Sequence, residues 1–103
     1  MALLTDELRA RLPCLLSQEA EAEPWVYARF LLPGTQWQWY VLEGEPEDDD
    51  FLFFGFVFGL SDEFGHFRLS ELESIRSLLG QPVERDEAFT EGKLTDVVPA
   101  PDS

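Results

Sequence analysis

Leu4, Leu8 and Leu12 recur four residues apart, and Thr5, Asp6 and Glu7 stand at the head of that stripe. A hydroxyl that caps the first free N–H groups, followed by acids near the positive end of the helix dipole, predicts a short amphipathic helix that Pro13 ends. Residues 17–24 are polar, with Glu19, Glu21 and Glu23 among them, and read as a solvated connector. Two aromatic and β-branched runs follow, at 25–32 and 35–43, and the Pro33-Gly34 pair between them marks a hairpin turn. Residues 51–60 hold five phenylalanines in ten positions, which predicts a largely buried strand with Gly55 and Gly59 at a bulge or a close backbone approach. Ser61-Asp62-Glu63 then turns the chain into a shorter strand at 64–69. Ser70-x-x-Glu73 has the form of a capping box, with Leu72, Ile75 and Leu79 as the apolar stripe of a second helix and Gly80 and Pro82 as its stop. Residues 83–89 suit a further extended segment, and 90–103, with Pro99 and Pro101 and little periodicity, read as a flexible acidic tail.

Helix, strands joined by short turns, then helix is an α+β order, and it disfavours a parallel βαβ fold. The expected architecture is a four-stranded antiparallel meander with an N-terminal and a C-terminal helix packed on one face, in a single domain of residues 1–89 followed by the tail. Leu, Ile, Val and Phe fill 32 of 103 positions, above the ~20% that goes with disorder, so the chain has the means to build a core.

Charge changes the picture. Asp and Glu number 21 against 7 Lys and Arg, a formal net charge of −14. Direct nucleic-acid binding needs basic contacts to phosphate, and an anionic membrane repels such a chain, so the expected partners are basic proteins. One cysteine, Cys14, cannot form an internal disulfide, and the chain shows no secretory signal or long apolar run, which makes a cytoplasmic protein the expectation. Between Arg29 and Arg68 there is no Lys or Arg, while Glu43, Glu45, Glu47, Asp48, Asp49, Asp50, Asp62 and Glu63 all fall there. In a meander the 45–50 loop and the Asp62/Glu63 turn lie at opposite ends of the Phe-rich strand, as two acidic rims. Glu43, Glu45 and Glu47 would share one face at ~6.6 Å spacing.

The segments Leu3-Leu4-Thr5-Asp6-Glu7-Leu8-Arg9-Ala10-Arg11-Leu12-Pro13, Thr35-Gln36-Trp37-Gln38-Trp39-Tyr40, Asp50-Phe51-Leu52-Phe53-Phe54-Gly55 and Leu69-Ser70-Glu71-Leu72-Glu73-Ser74-Ile75 resemble domain-of-unknown-function family 2958, over most of residues 3–89. The resemblance implies an accessory protein of plasmids and integrative elements, in the neighbourhood of antirestriction and transfer functions. It carries over no catalytic residues.

These features lead to one expected function and its rivals. The first is a non-enzymatic inhibitor of anti-CRISPR or antirestriction type that mimics DNA: Glu43, Glu45, Glu47 and Asp48 to Asp50 would pair with the Arg and Lys of a basic nucleic-acid-binding complex, a CRISPR surveillance complex or a restriction enzyme. Asp62, Glu63, Glu84, Asp86 and Glu87 would extend the contact. The bland counterpart is a solvated acidic surface that keeps the protein soluble. An accessory interaction module of plasmid transfer or maintenance, using an aromatic face, is the alternative. Glu45, Glu47 and Asp48 to Asp50 are hard oxygen ligands, but the loop lacks the alternating pattern of a calcium site, and no cofactor or metal is expected. His66 has no second ligand at metal-site spacing, and Cys14 suits a small buried position. Trp37 and Trp39 share a strand face and read as core.

Overall fold

In the computed structural model, which describes residues 3–18 and 20–98, the predicted antiparallel sheet is present and has five strands. The first helix, α1 (Asp6–Arg11), starts where the sequence places it: the Thr5 hydroxyl accepts the Leu8 N–H at 3.1 Å, and Leu8 is buried. Strands β1 (Trp25–Val26), β2 (Ala28–Leu31), β3 (Gln38–Glu47), β4 (Asp50–Phe58) and β5 (Asp62–Arg68) follow, then α2 (Leu69–Ser74), β6 (Glu84–Arg85), β7 (Gly92–Lys93) and α3 (Leu94–Val97). The main sheet runs β5-β4-β3-β2-β6, so four sequential strands form a meander and β6 adds a fifth to its far edge. A second ribbon pairs β1 with β7.

Alternation along the strands divides the sheet into two faces. On the first, Phe30, Trp39, Val41, Phe51, Phe53 and Phe67 are buried under Leu8 of α1 and Leu72 of α2. Phe53 is the centre of this layer, with ring centroids 5.6 Å from Phe30 and 5.5 Å from Phe67. Trp37 stacks on Trp39 at 5.9 Å and packs against the same core, as expected of the tryptophan pair. On the second face Val26, Tyr40, Leu42 and Leu94 form a smaller core, flanked by Phe54, Phe56 and Phe58.

Gly55 makes the close approach that its place among phenylalanines suggests. A Cβ there would stand 1.9 Å from the Tyr40 carbonyl oxygen. The bulge itself lies on the opposite strand: Val41 pairs with Gly55 and Glu43 with Phe54, which leaves Leu42 as the extra residue.

Three expectations are corrected. The second helix begins one residue early and ends at Ser74, five residues before Leu79, the last position of the expected stripe. Its capping box uses Arg68 and Glu71, with the Arg68 N–H donating to Glu71 at 2.9 Å. The Asp50 carboxylate accepts the Ser70 N–H at 3.1 Å and its hydroxyl, which fixes the entry. Beyond Ile75 the chain leaves the core, Arg76 bridges to Pro82, and Leu79 is exposed in the connecting turn. The tail is the second correction, because residues 90–98 carry β7 and α3 and Leu94 is buried against the second face. Residues 99–103, the rest of the expected tail, lie outside the described residues. Third, Cys14 is exposed on a turn and is not a core residue.

Candidate protein-binding surface

The three glutamates of β3 do share a face, and the fold engages all of them. Glu43 is buried, at 2% exposure. Its two carboxylate oxygens accept the N–H groups of Leu16 and Gln18, each at 2.7 Å. Glu45 accepts the Leu15 N–H at 3.0 Å. These acids act as an anion docked in a run of loop N–H groups, and the loop bends to meet them: Leu16 adopts φ 71, a left-handed conformation that costs a leucine ~1–2 kcal/mol. The Gln18 side chain closes the same loop, donating to the Leu42 carbonyl at 2.8 Å and accepting the Trp25 N–H at 2.6 Å. The start of the expected connector is therefore a latch on β3. Glu43 is accordingly unavailable to a partner, a correction to its expected role.

Glu47 accepts from the Arg68 guanidinium at 2.7 Å. Asp50 caps α2, and the Ser70 hydroxyl, with the Phe51 N–H behind it, holds its carboxyl below the ordinary range. Asp86 is ion-paired to Arg29 and accepts the Ala88 N–H at 3.0 Å, which fastens β6 to β2. What remains outward is Asp48 and Asp49 on the β3–β4 turn, Asp62 and Glu63 at the opposite end of β4, and Glu84 and Glu87 along the β6 edge; among the described residues none of these six has an ion-pair partner. The two rims expected from the meander thus exist, with fewer acids on the first.

The basic side chains behave oppositely. Arg11, Arg29, Arg68 and Lys93 pair with Glu91, Asp86, Glu47 and Glu23. Arg9 lies over the Phe51 ring, Arg76 donates to the carbonyls of Glu73 and Ile75, and Arg85 donates to Thr5. Four of the seven Lys and Arg are thus ion-paired and the other three rest on neutral groups, and with a formal net charge of −14 the outward field is negative.

Sequence reasoning missed an open apolar cleft of 740 Å³ on the second face, between the latch and α3. Leu42 and Phe54 line it together with Leu16, Phe64, His66 and Leu94, and Glu21 stands on its edge. Phe54 stacks on Phe64 at 6.0 Å and meets the His66 ring at 5.0 Å. Phe64 stays 52% exposed and Leu16 68%. The alternation of Phe54, Phe56 and Phe58 with Phe53 and Val57 was the available signal: it puts phenylalanines on both faces, and two helices cover only one. No group of His, Cys, Asp and Glu among the described residues is placed to hold a metal ion. No helix among them is long and apolar enough to cross a membrane.

A family model described as "Protein of unknown function (DUF2958)" matches residues 3–98. The chain belongs to that family. The match takes in β7 and α3 and so extends past the 3–89 span of the resemblance in sequence. Neither the curated proteins nor the solved structures hold a match to this DUF2958 chain.

Proposed function

We propose that this DUF2958 protein is a non-enzymatic inhibitor, of anti-CRISPR or antirestriction type, that occupies the basic groove of a nucleic-acid-binding complex. The observation that carries the reading is the asymmetry of its charges: four of the seven cations are ion-paired within the fold, while Asp48, Asp49, Asp62, Glu63, Glu84 and Glu87 face solvent with no ion-pair partner among the described residues. The mimic would be the pair of rims, not the β3 glutamates. The eight steps of β4 from Asp50 to Phe58 separate the rims, roughly 27 Å at ~3.4 Å per step, the axial length of about eight base-pair steps. Long-range attraction to Arg and Lys that grip phosphate would speed encounter and fall with salt.

Affinity capture from a bacterial lysate containing a type I CRISPR complex, at ~0.1 M and ~0.5 M salt, tests this, since the Debye length falls from ~10 Å toward ~4 Å. The expected result is a nucleic-acid-binding complex that added DNA displaces, that high salt releases, and that a chain carrying Asp48→Asn, Asp49→Asn, Asp62→Asn and Glu63→Gln no longer holds. Retention of the same partner by the folded neutral variant would overturn it.

A second reading, an accessory interaction module of plasmid transfer or maintenance, is favoured by the open phenylalanine cleft. Apolar association would hold or strengthen as salt rises.

A further inference from the structure

We propose that the free edge of β5, together with the cleft beside it, receives an extended segment of the partner in which apolar residues alternate with Lys or Arg, added as a sixth strand. The inference rests on the acidic-inhibitor reading and names where the partner is gripped. β5 ends the sheet order and, among the described residues, pairs only with β4. It is seven residues long, Asp62–Arg68, with no proline and no bulge in its pairing. Such an edge offers a row of backbone N–H and C=O groups to another strand.

The side chains at that edge choose the occupant. Asp62, Phe64 and His66 alternate with Glu63 and Gly65, so Asp62, Phe64 and His66 lie on one face, the one bearing Phe54 and the cleft. A strand added ~4.8 Å away would set two apolar side chains beside Phe64 and His66, continuing the ring layer of Phe54, Phe56 and Phe64. The alternate side chains fall on the opposite face beside Glu63 and Gly65, where a cation meets Glu63, while Asp62 at the strand end and Glu21 in the lining of the cleft add to the negative field around the edge. That field is matched by cations. A second copy of the chain brings another −14 to the contact, which disfavours it as the occupant.

The test is a titration of the isotope-labelled full chain, followed by amide NMR, with a seven-residue peptide of alternating Lys and Val. Controls are an alternating Glu and Val peptide and a Lys and Val peptide N-methylated at every residue, which leaves neither edge able to donate. The expected result is concentration-dependent shifts at amides 62–68 and at those of Leu16, Gln18, Glu21 and Ala22 with the Lys and Val peptide alone. Affinity should fall at least tenfold for Phe64→Asp, and likewise for Asp62→Lys with Glu63→Lys, exposed positions whose unchanged spectra elsewhere would confirm folding. Equal binding of the N-methylated or Glu and Val peptide, or shifts confined to Asp48 and Asp49, would overturn the proposal. So would a β5 edge already covered by a second copy, seen as a dimer in sedimentation. If Phe64→Asp still captures the DNA-displaceable complex, the edge proposal fails and the rim reading stands. Peptide binding at β5 without capture of any nucleic-acid-binding complex reverses that outcome.

Discussion

Replacing Glu43 by alanine should be among the most damaging single changes of an acidic residue in this protein. Both carboxylate oxygens are engaged, by Leu16 and Gln18 at 2.7 Å, in a buried position. A hydrogen bond to a charged group contributes ~1.5–3 kcal/mol net, so two give about 3–6 kcal/mol. Releasing the latch lets Leu16 leave φ 71 and returns ~1–2 kcal/mol. The expected loss is about 2–4 kcal/mol, out of ~5–15 kcal/mol for a whole domain. At ~4–8 °C per kcal/mol for a chain near this size, the melting temperature should fall by about 8–32 °C. Glu43→Gln keeps one carbonyl acceptor and should lose roughly half as much. Urea unfolding gives the free energy, and hydrogen exchange at the Leu16 and Gln18 amides locates it: both should exchange faster in Glu43→Ala at a denaturant concentration where the core amides remain protected. A loss below ~0.5 kcal/mol with both amides still protected would refute the latch.

Two further outcomes are expected. The Ser70 hydroxyl first, and the Phe51 N–H after it, hold the Asp50 carboxyl below its ordinary 3.8; a depressed carboxyl supplies stability above the unfolded value and loses it as pH falls through the folded one. Asp50→Asn should therefore be less stable than the parent at pH 7, and thermal melts should show the gap closing below about pH 4. Gly55→Ala meets the Tyr40 carbonyl at 1.9 Å, whereas a Cβ at Gly65 meets nothing within 4 Å. The first should cost about 3 kcal/mol or more, as overpacking against backbone, and the second should gain ~0.5–1 kcal/mol; equal melting temperatures for the two variants would show that the strand pair is not as close as described.

Local chemistry was well written in the sequence. Thr5 announced α1, Pro33-Gly34 the first hairpin, and the density of phenylalanines the central strand, because each depends on near neighbours. The second helix departs from its pattern because Ser70 has the right residue three places on, yet the Asp50 carboxylate, twenty residues away, takes both the Ser70 hydroxyl and N–H. Leu94 looked like an isolated apolar residue in a proline-rich tail, and only the pairing of β1 with β7 gives it a surface to bury against. The acids were the hardest to place. Composition counts carboxylates but does not say which ones meet loop N–H groups, so Glu43, Glu45, Asp50 and Asp86 read as surface charge until the chain was closed on itself. The cleft escaped for a related reason, since its floor is the sheet but two of its walls come from the latch and α3, segments that the pattern leaves without structure.

The unpaired Leu42 has a consequence for how substitutions are tolerated along β3. Trp37, Trp39 and Val41 occupy odd positions that point beneath the helices, and an unbroken alternation would send Glu43, Glu45 and Glu47 the same way, into the densest part of the protein. One supernumerary residue reverses the parity, so odd numbers mean interior before it and the opposite surface after it. Deletion of Leu42 would therefore join Val41 to Glu43 in a regular ladder and keep every later side chain of the strand on its present surface, at the loss of one buried leucine. Deletions in the 77–80 turn, far from any such parity, would only shorten an exposed connection.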